Sequence, residues 1–135
     1  MLDISRLHTL FEPLFPGLIG IKLLEAKQDR VRATLKVRKN LCTGRDTLHW
    51  GVMVGMAQTL GTVGSVLSLP EGSRTRTESS NTEFHADALL DTSVTADCVA
   101  LEKSDTRMVW QTTIHNEDEQ VCAVITQTQS VLPDE

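Results

Sequence analysis

The chain is 135 residues long, 40% hydrophobic and 23% charged, with a formal net charge of -5. This size and balance fit one globular domain, 1–135, with a single core; they argue against a disordered chain and against a nucleic-acid partner, which calls for a basic surface. Three cysteines without a CxxC pair (Cys42, Cys98, Cys122) and four scattered histidines (His8, His49, His85, His115) read as reduced thiols and supply no metal site, and no apolar leader is read at the start, so a cytoplasmic protein without metal or cofactor is expected.

In chain order, Asp3 or Ser5 can cap a short helix through Leu7, Leu10 and Phe11, with Leu14 one turn further on; Pro13, then Pro16 and Gly17, disturb or end it. Residues 18–26 read as a strand, and Gln28 and Asp29 as a turn. Residues 30–38 alternate: Val31, Ala33, Leu35 and Val37 point one way, and Arg30, Arg32, Thr34, Lys36 and Arg38 the other. A strand with one dry and one wet face follows.

A loop over 40–48 leads to an uncharged segment that ends near residue 69. Of the nineteen residues 51–69, ten are apolar, four are glycine and five are Gln, Thr or Ser. That is marginal for a membrane span, which takes about 20 predominantly apolar residues, so a helix buried in a globular fold is expected, and no membrane partner. Val52, Met56, Leu60, Val63 and Leu67 recur at helical spacing. Gly51, Gly55, Gly61 and Gly64 each cost a helix roughly 1 kcal/mol relative to alanine, and close approach of other backbone is the expected reason. Pro70 ends the helix.

The pattern then changes to period two: residues 74–85, 93–102, 108–115 and 121–131 read as strands joined by short polar turns. In the second of these Val94, Ala96, Cys98 and Ala100 share a face; in the third, Met108, Trp110, Thr112 and Ile114. A short helix, two strands, a long buried helix and four strands in series imply an α+β fold, with a curved antiparallel sheet of five to six strands wrapped on the helix. Such a sheet leaves open edges that a homodimer would cover.

The start of the long helix is the segment with chemistry to offer. Its first N–H groups have no intrahelical acceptor and lie at the positive end of the helix dipole, which suits a carbonyl oxygen that gains charge. An ordinary capped start, with His49 only packing, is the plainer alternative. Gln58 and Thr62, four apart, share one helix face. They form either a structural hydrogen-bond pair or a polar site that orients a water and a carbonyl.

The run His49-Trp50-Gly51-Val52, continued by Ala57, Gln58 and Thr59, resembles the signature of the hotdog-fold acyl-CoA thioesterases of the phenylacetate-pathway and 4-hydroxybenzoyl-CoA type. Their helix begins His-Gly-Gly-Val and continues Leu-Ala-Asp/Glu-Thr. The stretch 81–88, with Phe84 and Ala88 matching, is similar to the end of a strand in that family, and 121–128 to its last strand; by element order the likeness covers roughly 18–132. The resemblance implies the hotdog fold, an acyl-CoA ligand, and a homo-oligomer, either a dimer or a dimer of dimers. It also implies roles: the Trp50 N–H as oxyanion donor together with Gly51, His49 orienting the thioester, Thr62 assisting a water, and Asn81 and Phe84 near the substrate. Arg74 and Arg76 are candidates for the phosphates of coenzyme A.

Two departures stand out. Trp50 replaces a family glycine. Gln58 falls where the family has its catalytic carboxylate, and an amide does not accept a proton at neutral pH. Asp46, Glu78, Glu83 and Asp87 are the other acids near enough in sequence to be weighed, each more simply a solvated charge. Two functions stay open: a thioester hydrolase with weak or altered activity, or a non-catalytic hotdog protein that binds acyl-CoA or is structural.

Overall fold

Asp3 caps the first helix, α1 (Ile4–Phe11): its carboxylate accepts the Arg6 N–H at 2.9 Å, which satisfies one of the free amides of a helix start. Leu7 and Phe11, one turn apart, form its buried face. A second short helix, α2 (Phe15–Ile19), follows, with proline in its first turn and Gly20 in the left-handed conformation (φ 84°) at its end. This corrects the expectation of a strand over 18–26. Proline fits a first turn, where its missing N–H would have no acceptor, and glycine tolerates the positive φ that stops a helix. The strand β1 is therefore only Lys22–Ala26. The chain is described by a computed structural model over residues 3–70 and 72–132.

The remaining strands are β2 (Arg30–Lys36), β3 (Arg74–Phe84), β4 (Ser93–Lys103), β5 (Arg107–His115) and β6 (Val121–Leu132). They form one antiparallel sheet in the order β1-β2-β4-β5-β6-β3. The expected alternation holds on the inner face: Val31, Ala33 and Leu35, then Val94, Ala96 and Cys98, then Met108, Trp110, Thr112 and Ile114 are all buried. On β6 the inward set continues through Ile125 to two buried glutamines, Gln127 and Gln129.

The long helix α3 (Trp50–Ser68) fills the concave side and buries Met53, Met56, Ala57, Leu60 and Val63. Burying a large apolar side chain of this kind stabilises by about 1.5–3 kcal/mol. A helix wrapped by a curved six-stranded antiparallel sheet is the hotdog arrangement. Among the described residues α3 is the one helix long and apolar enough to cross a membrane, yet here its apolar face packs on the sheet. The four glycines are explained by side chains rather than by the backbone approach expected. A Cβ on Gly55 would lie 2.7 Å from the Phe15 ring, one on Gly61 2.3 Å from the Gln127 amide, one on Gly64 2.4 Å from the Trp110 indole, and one on Gly51 2.9 Å from His49 Nδ1.

The edges differ in length. β1 has five residues and β3 eleven; each has a register shift, between Leu23 and Glu25 and between Thr77 and Ser79, and neither has a strand on its outer side among the described residues.

Candidate functional site

The start of α3 is held from three directions. Cys42 and Leu48 form a bridge, the Leu48 N–H donates to the Ala88 carbonyl at 2.8 Å, and the His49 N–H to the Leu41 carbonyl at 2.9 Å. His49 is the cap residue, in extended conformation. Its Nδ1 accepts the Gly51 N–H at 2.8 Å, and its carbonyl accepts the Val52 N–H at 3.0 Å. Of the four amides at this start, those of His49, Gly51 and Val52 are therefore engaged. The Trp50 N–H alone has no partner among the described residues. Of the two amides expected to serve an oxyanion, the Gly51 amide is bonded here to the capping histidine and the Trp50 amide is not. The same bond fixes the imidazole. A neutral ring that accepts at Nδ1 carries its proton on Nε2, and His49 is exposed.

Trp50 is 52% exposed and stacks on Phe84, at the end of β3, with ring centroids 5.0 Å apart and planes 20° apart. Two residues flagged separately in the sequence thus meet at the helix start. The other expected substrate contacts do not join them. Asn81 pairs across the ladder with Thr126, Arg76 with Ser130, and Arg74 with Leu132. Directly opposed residues share a face, and these positions alternate with the inward Ile125, Gln127 and Gln129, so all three point away from α3. Arg76 is 3.1 Å from Glu78. Arg74 and Arg76 also lie at the opposite end of an 11-residue strand from Phe84.

Gln58 and Thr62 come together midway along α3. Gln58 Nε2 donates to Thr77 Oγ1 on β3 and, at 3.4 Å, to Thr62 Oγ1. The Thr62 hydroxyl donates to the Gln58 main-chain carbonyl at 3.0 Å. Gln58 follows the cap by nine positions (58 − 49), about 13 Å along the axis. One chain therefore does not place His49 and Gln58 around the same carbonyl.

The weighed acids are engaged elsewhere. Asp46 pairs with Lys39. Glu78 accepts from Ser130 at 2.6 Å and from Arg76, and these bonds hold its carboxyl below the ordinary value. Glu83 lies 3.7 Å from His85, and Asp87 is exposed. None of the four hydrogen-bonds to His49, Gln58 or Thr62 among the described residues. The Cys98 thiol is buried, which raises its pKa to about 12, and burial raises Cys122 as well, so neither is poised as a thiolate nucleophile.

Sequence reasoning missed four residues here. Thr77 holds the Gln58 amide. Behind Thr62 stand Gln129, Ser65 and Trp110: Gln129 Nε2 donates to Thr62 Oγ1 at 3.4 Å, the Ser65 hydroxyl to Gln129 Oε1 at 2.6 Å, and the Trp110 indole N–H to Ser65 Oγ at 2.8 Å. Counting the alternation of β6 onward from Ile125 would have exposed Gln129 as an inward polar residue in need of a partner.

A family model, the thioesterase superfamily, matches residues 46–123, which takes in the whole of α3 and most of the sheet. The chain belongs to the thioesterase superfamily. Among curated relatives, a Haemophilus influenzae protein provisionally named an esterase is 29% identical over 114 residues, 84% of this chain and 82% of its own. Among solved structures, a thioesterase from Haemophilus influenzae superposes with a TM-score of 0.91 at 26% identity, covering 98% of this chain and 92% of that one. A Streptococcus mutans protein solved with bound acetyl-CoA superposes with a TM-score of 0.78 at 17% identity, covering 86% and 91%; likeness at that level shows the shared fold.

Proposed function

We propose that this member of the superfamily takes an acyl-CoA thioester at the start of α3 and hydrolyses it slowly, as a relative of the phenylacetate-pathway and 4-hydroxybenzoyl-CoA thioesterases in which Gln58 stands at the carboxylate position. The observation that carries the reading is the Trp50 N–H, without a partner among the described residues, one position after the capping His49, whose Nε2–H is a second donor. Two donors converging on one carbonyl oxygen would stabilise the charge that develops as water attacks. Acetyl-CoA on the Streptococcus mutans relative supports the ligand class.

The chemistry is a hydrolysis. Water adds to the thioester carbon, the C–S bond breaks, and the products are a carboxylate, the coenzyme A thiol and a proton. Gln58 and Thr62 would hold the water. Because an amide does not take up the proton, that proton must leave through solvent, which is why slow turnover is expected. The 13 Å between His49 and Gln58 favours a site completed by a second copy, one chain giving the helix start and the other giving Gln58 and Thr62. The long unpaired edge of β3 suits such a homodimer. We place the protein in the cytoplasm, acting as one domain, as a dimer or a dimer of dimers. Phe84 with Trp50 would line the acyl or pantetheine path; Asn81, Arg74 and Arg76 face away from their own α3, so a part in the site would come through the face of the sheet turned to solvent or to a second copy.

The Gln58 amide also supports a second reading, binding without turnover. Hydrolysis of a panel of acyl-CoAs by the native chain and by Gln58→Glu separates the two. The first reading expects slow native turnover and a gain of about a hundredfold or more in the variant, the range of general-base catalysis. Thermal stabilisation by acyl-CoA with no turnover in either protein supports binding alone, and a flat response to every ligand sinks both.

A further inference from the structure

We propose that Trp110, acting through Ser65 and Gln129, determines which end of the Gln58 amide faces the open side of α3, and that these three are positioning residues. The inference rests on the reading of Gln58 as the group that holds the attacking water.

An indole N–H only donates. Trp110 is fully buried and gives its proton to Ser65 Oγ. The Ser65 hydroxyl, also buried, then directs its own proton to Gln129 Oε1. That bond orients the Gln129 amide, whose Nε2 turns to Thr62 Oγ1. The Thr62 proton lies on the Gln58 main-chain carbonyl, so the Thr62 oxygen acts as acceptor, receiving Gln129 on one side and Gln58 Nε2 on the other. Thr77 takes a Gln58 N–H as well. The Gln58 amide therefore spends its donors on two hydroxyls, that of Thr77 on β3 and that of the exposed Thr62, and Oε1 is its one polar side-chain atom without a partner among the described residues.

Turning the amide over would set Oε1 against a Thr62 oxygen whose proton is already committed, so two acceptors would face each other. Trp110 is the one member that cannot reverse: its N–H fills one of the two acceptor positions of Ser65 Oγ, which favours Ser65 as donor in its 2.6 Å bond to Gln129. With the indole gone, Gln129 can offer its N–H to Ser65. Thr62 is then free to give its proton to Gln58 Oε1, which draws inward the acceptor that would hold water.

The test is amide NMR of the Gln58 side chain in the native protein and in Trp110→Phe, with Ser65→Ala as a second variant that keeps the indole in place. The expected result is faster exchange of the Gln58 NH2 protons with water, by about fivefold, the factor that corresponds to one hydrogen bond of roughly 1 kcal/mol. The main-chain amides of α3 should exchange faster only by the common factor that the variant's lost stability sets, and the Gln58 NH2 protons by more than that factor. A role in packing alone would loosen the helix and leave the Gln58 signature unmoved relative to it. Unchanged Gln58 signals in whichever of the two variants folds overturn the proposal. Acyl-CoA hydrolysis on the same samples keeps the two ideas apart: a native chain without turnover removes the thioesterase reading, while the NMR result still decides the relay.

Discussion

In its C-terminal half α3 seats Gly61 on the buried Gln127 amide and Gly64 on the buried Trp110 ring; at its start His49 and Trp50 stand exposed, and the Trp50 main-chain amide has no partner among the described residues. The first region is close-packed, with Trp110, Ser65 and Gln129 bonded in series and Gln127 Oε1 buried without a partner among the described residues, so a change there is felt as lost stability. The second packs chiefly through the Trp50–Phe84 stack, and its Trp50 amide keeps its donor capacity unused among the described residues. The contrast teaches where the helix holds the fold and where it is free to meet a ligand.

The contrast breaks most visibly at Gly64. A methyl group there would sit 2.4 Å from the Trp110 indole, a rigid ring with no exposed surface. Overpacking of this kind costs about 1–3 kcal/mol, so Gly64→Ala is expected to lower the melting temperature by up to about 10 °C for a chain of this size. An unchanged melting temperature would show that the helix is not seated as described.

A smaller loss of stability, with a larger loss of function, is expected at the other end. His49→Ala removes the cap acceptor for Gly51 and should cost about 1 kcal/mol. It also removes the Nε2–H donor, so thioester binding or turnover should fall by more than the change in folded fraction explains. Equal losses of stability and turnover would erase the distinction between the two regions.

The smallest effect is expected on the sheet face turned away from both. Arg30 donates to Asp97 through two bonds, of 2.9 and 2.7 Å, and holds its carboxyl below the ordinary value. A lowered folded value means that the pair adds stability above the range near pH 4 where a free aspartate titrates, and loses it as pH falls through that lower value. Both side chains are partly exposed, so Asp97→Asn should lower the melting temperature at neutral pH by no more than about 2 °C. The gap between native and variant should close in acid. A gap that widens in acid would contradict the sign.

Period-two alternation was enough to place β2, β4 and β5 and to name their inward residues, because burial on one face writes itself directly into apolar spacing. The uncharged run was enough to place α3. Local chemistry overrode hydrophobicity at Pro16 and Gly20, where a helix start and a left-handed stop displaced an apolar strand. The site was legible only as far as residue types go. That Trp50 meets Phe84, that Asn81, Arg74 and Arg76 face away, and that Gly51 is taken by His49 depend on strand pairing and side-chain rotamers, which are set by contacts distant in sequence. Gln129 lay within reach of the alternation, but its partners Ser65 and Thr62 lie 64 and 67 positions away and no local pattern joins them.

The most direct measurement of the central claim follows the Trp50 main-chain amide by NMR during titration with a non-hydrolysable ketone analogue of acetyl-CoA, with coenzyme A alone as the control. The account predicts a downfield shift of the Trp50 N–H on binding the analogue and none with coenzyme A, since only the former brings a carbonyl to the unpaired donor. Binding of the analogue with the Trp50 signal unmoved would contradict it.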